Sequence, residues 1–409
     1  MIEGSMNYTY KNDLNSKEYD EFVKHHPQCN LLQSSSWSKV KDAWGHRLVG
    51  LLDEKNKIVA AGLVLIRPVK LGWTVWYMPH GPILDYQNKE LVDSFFDNLK
   101  EDAKKQKCVF IKIDPPVFAD IAPYQDFNDE VSEEALTAKK HLENTGFIHQ
   151  GFTKQMHDTI QPRYHAITFA DDRKLEDRIS RRTRHALKDS KKRKVEIIRG
   201  TADDLTDFYY LIQKTEEAKD INLRDINYFR KLMDVYGEDC FLYLAVINLK
   251  NAIDEHERLK VDVKQRIANL PAKAPKKKLE YEDRLNSYDK LLKTFRDMAE
   301  KEGDRALIAG CISVLYGDSF EMLYAGYNRD YSFIPAQDPV YLASMNAAFA
   351  KGAKFASMGG VDGNLQDGLM EYKNHFDPHV VSFLGEFDMP INKILYKAYL
   401  FLRKIMKKG

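Results

Sequence analysis

The 409-residue chain has little with which to build a covalent or metal framework. Its four cysteines, Cys29, Cys108, Cys240 and Cys311, lie far apart and form neither a CxxC pair nor a Cys/His ligand spacing. That argues against a disulfide frame or a zinc site, and the cysteines read as reduced cytosolic thiols. No segment approaches the ~20 apolar residues of a transmembrane helix. The longest apolar run, Ile58 to Ile66, fits an ordinary buried strand. No secretory signal is evident; Met1 to Ser5 (MIEGS) reads as a cloning remnant before a natural start at Met6. Net charge is almost absent, with 62 Lys and Arg against 61 Asp and Glu.

What is present suffices for large cores. The chain is 44% hydrophobic and 30% charged, the balance of a soluble protein, and its length predicts two or three domains. The pattern of elements occurs twice. Trp73 to Met78 reads as a strand, Lys89 to Lys105 as a helix and Cys108 to Ile113 as a strand ending in Asp114-Pro115-Pro116. Ser319 to Tyr324, Asp338 to Lys351 and the strand at Phe355 repeat that order, and Met78 to Phe110 spans the same 32 positions as Tyr324 to Ala356. Each set follows another apolar run, Ile58 to Ile66 or Ala306 to Leu315. Two similarly folded α/β domains are predicted.

Within the second set, Phe355 to Met358 reads as a strand that meets Gly359-Gly360, a polar loop and a helix start carrying Tyr372 and Lys373. Paired glycines after a strand let the backbone turn sharply and come close to a ligand. A lysine just beyond can serve as a point charge for a phosphate or a developing oxyanion. As a bare pattern, this is also a strand-to-loop turn with a solvated lysine.

From about Lys250 to Gly303 the sequence becomes charged and helical. Tyr281, Leu285, Tyr288, Leu292, Phe295 and Ala299 recur at alternating steps of four and three, as do Ala252, His256, Leu259, Val263, Arg266 and Leu270. The Pro271 to Lys278 connector between them is not helical throughout. An antiparallel helical hairpin with a narrow apolar seam is predicted, projecting about 30 Å for two helices of roughly 20 residues. Its basic tip points to a polyanionic partner, against the plainer reading of a spacer or dimer contact. A second basic concentration, Arg178 to Lys194, has nine Lys or Arg among 17 residues and Asp189 as its only acid. It reads as a solvated helix face or as a mark of a phosphate-rich ligand. After Pro390, the residues Ile391, Ile394, Leu395, Ala398, Tyr399, Leu402, Ile405 and Met406 recur at helical spacing. Lys393, Lys397, Arg403, Lys404, Lys407 and Lys408 add positive charge. The stripe predicts docking on the first domain, peripheral contact with anionic lipid, or both.

These features occur alongside LLQSSSWSKVKDAWG, HGPILD, IKIDPPV, TIQPR, INLRDINYF, YAGYNRD, SMGGVDG, EYKNHF and GEFD. In that order, around a charged helical insertion, the strings resemble the Fem (FemABX) peptidoglycan aminoacyltransferases from Gln33 to about Asp388. The resemblance implies an α/β fold of two GNAT-like domains with an inserted antiparallel coiled-coil arm. Residues 6–160 would form the first domain, and 161–248 with 304–389 the second. The arm would be 249–303 and a basic amphipathic helix 390–409. It implies transfer of Gly, Ala or Ser from aminoacyl-tRNA to the stem-peptide amine of a lipid II-type muropeptide precursor, at the inner face of the membrane, with no metal or nucleotide cofactor.

The resemblance also assigns residues. Asp114 corresponds to a proposed base and Lys373 to a lysine facing the oxyanion, with Tyr372 beside it. Lys41 and Arg224 match ligands of the precursor phosphates, and Tyr228 and Tyr324 match residues that hold the precursor. Asn222 stands where a family member has threonine. Two alternatives lie outside this class. An acyl-CoA N-acyltransferase would carry an R/Q-x-x-G-x-G/A turn for pyrophosphate; no such string follows Met78 or Tyr324. A non-enzymatic tRNA-binding protein would leave Asp114 and Lys373 without a purpose.

Overall fold

Two β-α-β units set the architecture, and each leaves one parallel strand pair inside an otherwise antiparallel sheet. The computed structural model describes residues 7–271 and 273–406, the last three by backbone alone. The readings of Met1 to Ser5, Met6, Lys407 and Lys408, and of the Lys404, Ile405 and Met406 side chains, lie outside the described residues.

The first half runs β1 (Thr9–Lys11), α1 (Ser16–His25), α2 (Trp37–Val40), β2 (Gly45–Leu52), β3 (Ile58–Pro68), β4 (Thr74–Met78), α3 (Lys89–Lys105), β5 (Cys108–Ile113), β6 (Phe118–Pro123), α4 (Glu133–Asn144) and β7 (Ile148–His149). Then follow β8 (Tyr164–Phe169), α5 (Leu175–Arg178), α6 (Arg181–Lys192), β9 (Glu196–Gly200), α7 (Leu205–Lys219), α8 (Ile226–Tyr236) and β10 (Cys240–Asn248). After α9 (Leu249–Ala268) and α10 (Pro275–Glu302) come β11 (Arg305–Tyr316), β12 (Ser319–Tyr327), α11 (Gln337–Ala350), β13 (Phe355–Val361), α12 (Gly368–Lys373), β14 (His379–Phe383), β15 (Phe387–Pro390) and α13 (Lys393–Met406).

The repeat anticipated from spacing is present. Helix α3 starts where the Asn88 side chain accepts the Leu91 N–H and buries Leu91, Val92, Phe95, Phe96 and Leu99 on one face. It returns the chain so that β5 lies parallel to β4, with Met78 opposite Ile113. All six residues of β5 are buried, as a strand covered on both faces requires. Helix α11 does the same for β12 and β13, with Glu321 opposite Ser357. That second pair is short: beyond Ser357 the strands part, and Gly360 and Val361 pair only with His165 and Tyr164 of β8. The gap that opens is where the site forms.

The sheets exchange strands. Their orders are β1-β2-β3-β4-β5-β15-β7 and β6-β14-β8-β13-β12-β11-β10-β9. Strand β6, placed by sequence in the first domain, edges the second sheet, and β15, placed in the second, sits inside the first. Boundaries at 160 and 389 therefore do not coincide with the sheets, because long-range pairing leaves no local periodicity to read. Lys112 on β5 fixes the exchange. Its buried Nζ lies 2.7 Å from both Glu386 and Asp388. One core cluster also joins the sheets, combining Tyr19, Trp37, Ala61 and Leu63 with Leu242, Leu244, Ile312 and Val314.

Helices α9 and α10 stand between β10 and β11 as an antiparallel pair. His256 meets the rings of Tyr288 and Phe295, and Lys260 and Glu257 pair with Asp289 and Arg296. The predicted seam holds at Ala252, His256, Val263, Leu292 and Phe295, but Arg266 is exposed and Ile267 is partly covered instead. Pro275 opens α10, so Lys276 to Lys278 are helical rather than connector. The root is not separable from the second domain: Ala252, Leu291, Phe295 and Met298 belong to its main core.

Helix α13 corrects the single apolar stripe. Leu395, Tyr396 and Tyr399 pack on Val109, Phe110, Trp73 and Val75, and the Tyr396 hydroxyl donates to Asp388 at 2.9 Å. Ile394 and Leu402, counted in the same stripe, are exposed.

Candidate active site

Lys41 closes the last turn of α2, its N–H donating to the Trp37 carbonyl. Arg224 precedes α8, whose Asp225 cap accepts the Tyr228 N–H at 2.9 Å. Trp37, Lys41, Arg224 and Tyr228 line a cavity of about 620 Å³ with Tyr77 of β4 and Tyr324 of β12. Lys41 Nζ lies 5.4 Å from the Trp37 ring centre and 5.6 Å from that of Tyr228. The Arg224 guanidinium lies 5.3 Å from the same Tyr228 ring, and its Nε donates to the Tyr324 hydroxyl at 3.4 Å. Burial, reinforced by Arg224, lowers the Lys41 ammonium to about 8. Among the described residues neither cation has a carboxylate ion-pair partner, and Asp42 in the same wall is taken by Lys231. Two unneutralised cations around one aromatic ring form a receptor for a multiply charged anion. Four of the predicted binding residues thus converge here: Lys41, Arg224, Tyr228 and Tyr324.

Leu32, Gln161 and Leu323 also line a small cavity of about 140 Å³ at the parting of β12 and β13, making the two spaces neighbours. Its walls include His80, His165 and the Gly359-Gly360 backbone. The glycines are required: Gly359 has φ +78°, and a Cβ on Gly360 would fall 2.4 Å from Pro162 of the TIQPR string. Gly81 is similarly pinned, since a Cβ there would lie 2.4 Å from the buried Gln33 amide. Gln33 holds that turn by donating to the Pro79 carbonyl at 2.7 Å. Burial lowers His80 to about 4 and, with His80 and Lys373 adding to it, holds His165 well below the usual imidazole range. Both are neutral rings able to accept a hydrogen bond, and His165 Nε2 has no partner among the described residues. His80 and His165 were not among the residues expected from the sequence; the signal present there was a histidine at or just beyond HGPILD and TIQPR.

Asn30, His165 and Glu321 link the small cavity to a third, about 580 Å³, walled by Phe118, Phe169, Phe355 and Phe383. Desolvation pushes the Glu321 carboxyl up to about 7. The three spaces form a run between the sheets, cationic at one end and aromatic at the other.

The remaining predicted residues surround this run instead of lining it. Asp114 is buried beneath it, accepting the His80 N–H at 2.7 Å and the Tyr77 hydroxyl at 3.0 Å. Burial, then Glu386, raises its carboxyl well above the ordinary aspartate range. Lys373 is buried, not solvated. Its Nζ donates to the carbonyls of Gly359 at 3.1 Å and Gly360 at 2.8 Å, and burial lowers it to about 7. Tyr372 does not join Tyr228: it lines a separate cavity of about 600 Å³ with Arg182, Lys219, Arg329 and Tyr341, its hydroxyl facing Asp338. Part of the Arg178 to Lys194 charge is spent internally, Arg178 on Asp377, Arg193 on Asp189 and Lys194 on Glu255. Among the described residues no group of three or more His, Cys, Asp or Glu is placed to hold a metal.

The FemAB family profile matches residues 14–404. The chain belongs to the FemAB family. Aminoacyltransferase FemA of Staphylococcus epidermidis is 26% identical over 423 residues, covering 97% of this chain and 99% of that one. Aminoacyltransferase FemA of Staphylococcus aureus is 26% identical over 419 residues, covering 96% and 98%. A crystal structure of FemX superposes with a TM-score of 0.78 at 25% identity, over 96% of this chain and 99% of that one. The protein is an enzyme, an aminoacyltransferase of this family.

Proposed function

We propose that this FemAB protein transfers Gly, Ala or Ser from aminoacyl-tRNA to the stem-peptide amine of a lipid II-type precursor, building the peptidoglycan interpeptide bridge. The reading has the two sheets as two GNAT-like domains and the α9-α10 hairpin as a coiled-coil arm that meets the tRNA. The enzyme would work at the inner face of the membrane, where a lipid-linked acceptor is held. One observation carries the reading. Lys41 and Arg224, without carboxylate partners among the described residues, face a cavity that leads past His80, His165 and Gly359-Gly360 to a second large opening. A diphosphate-bearing acceptor suits the cationic end, and a donor ester can arrive from the other.

The chemistry asked of the chain is modest. The acceptor amine attacks the ester carbonyl and loses a proton; the tetrahedral oxyanion collapses, and the tRNA hydroxyl leaves with a proton. Lys41 and Arg224 bind the diphosphate, and Tyr228 and Tyr324 hold the acceptor between them. Asp114 is assigned to proton handling through the Tyr77 hydroxyl it holds, while the His80 backbone N–H fixes its other oxygen. Lys373 is assigned to the oxyanion: it spends two N–H groups on the carbonyls of Gly359 and Gly360, which wall the small cavity, and its charge stands behind that wall. Tyr372, next to it, shapes the neighbouring cavity at the basic helix α6.

Filter binding with charged and uncharged tRNA, followed by transfer to a lipid-linked muropeptide and a parallel acyl-CoA donor, tests the reading. Transfer from aminoacyl-tRNA alone is the expected result. Transfer from acyl-CoA, or none from any aminoacyl-tRNA, would overturn it.

A further inference from the structure

The last helix carries an apolar surface that the fold leaves uncovered. One face of α13, Leu395, Tyr396 and Tyr399, is seated on the first sheet. Helical spacing then turns Ile394, Ala398 and Phe401 away from that seat, and Leu402, on its edge, is exposed as well. Ile394 is 81% exposed, Phe401 66% and Leu402 57%. Lys393 and Lys397 are exposed along the border of this face. No acidic residue occurs from Ile391 to the end of the sequence.

A second segment lies alongside. Trp73 and Val75 help form the seat of α13, and the turn just before them presents Lys70 and Leu71. Leu71 is 91% exposed and has φ +62°. A leucine in the left-handed region is uncommon, and an apolar tip held there in water points to a contact outside the chain.

We propose that the outer face of α13, together with the Leu71 turn, docks on an anionic phospholipid bilayer, with α13 lying in the plane of the interface. An apolar stripe bordered by lysines and lacking carboxylates matches the charge and polarity of that surface. The seat on the sheet holds the stripe outward, so the contact needs no unfolding. The inference deepens the membrane-side reading above and gives it a surface, but vesicle binding tests it without precursor or tRNA.

The experiment is co-sedimentation of the full chain with phosphatidylglycerol-containing and phosphatidylcholine vesicles, at low and high salt. Recovery is expected on the anionic vesicles and to fall with salt. Replacing Lys393 and Lys397 with Ala should weaken it about fivefold per lysine. The triple variant Ile394→Ser, Phe401→Ser, Leu402→Ser should weaken it about tenfold or more. Leu71→Ser, remote in sequence, should weaken it in its own right. All these side chains are exposed, so an unchanged melting midpoint is expected of each variant; transfer to a water-soluble precursor should also be unchanged. Equal recovery of parent and triple variant would overturn the proposal. So would equal recovery on neutral and anionic vesicles, or a dimer lost in the triple variant when the parent shows no vesicle recovery.

Discussion

Lys41 offers the sharpest test of the cationic end of the site. Its ammonium is lowered to about 8 by burial and by Arg224, so its charge is lost between pH 7 and 9. The protonated form binds phosphate. For a group of that pKa the charged fraction falls from about nine-tenths at pH 7 to about one-tenth at pH 9. The acceptor KM should therefore rise about tenfold across that interval, since kcat/KM reports the free enzyme. Lys41→Ala removes a charge-assisted contact worth on the order of 1.5–3 kcal/mol and should raise KM by about 13- to 160-fold at pH 7. It should also abolish the rise between pH 7 and 9. Lys41→Arg separates charge from titration: a guanidinium stays protonated, so the KM rise should vanish while much of the affinity remains. The assay is initial-rate transfer over acceptor concentration at each pH, with aminoacyl-tRNA saturating. A flat parent KM from pH 7 to 9, or an unaltered rise in Lys41→Arg, would refute the assignment.

Four further outcomes follow. Lys373→Met should lower kcat by about 10²- to 10³-fold with little change in acceptor KM, as loss of one oxyanion donor does; near-normal turnover would remove it from that role. Lys373 also fixes a pH dependence. Its folded value of about 7 lies below its ordinary 10.5, so the unfolded chain holds more protons between those limits and its contribution to stability rises with pH there, while turnover falls above about 7. Denaturant titrations of parent and Lys373→Met across that range should differ in slope, and identical slopes would contradict it. Lys112→Met strands Glu386 and Asp388 without their buried cation and should cost about 3–5 kcal/mol; a loss below about 1 kcal/mol in urea unfolding would show that Lys112 does not hold β15 in place. Replacing Arg258 to Asp289 with a Gly/Ser linker, sparing the Ala252, Leu291, Phe295 and Met298 root, should leave the domains folded and raise the KM for aminoacyl-tRNA. A normal KM would reduce the arm to a spacer.

The sequence by itself determined the local pieces. The units β4-α3-β5 and β12-α11-β13 were legible because strand and helical runs recur in the same order at the same spacing. The hairpin was legible through its 4-3 steps, and the glycine turn through Gly359-Gly360. The family was legible because nine short strings keep their order over the whole length. Tertiary structure alone decided everything that depends on distant segments meeting. The exchange of β6 and β15 carries no local mark, since pairing partners more than 200 positions apart, such as Lys112 and Asp388, leave no period in either segment. Which stripe of α13 docks was likewise undecided, because an apolar residue looks alike in sequence whether Phe110 covers it or water does. The same holds for the site. Lys41, Arg224 and Tyr324 are dispersed along the chain, and only the packing of α2 and α8 against β12 puts their charges around one ring. Burial is a property of that packing, and burial is what makes Lys41, Lys373, His80 and Asp114 titrate away from their ordinary values.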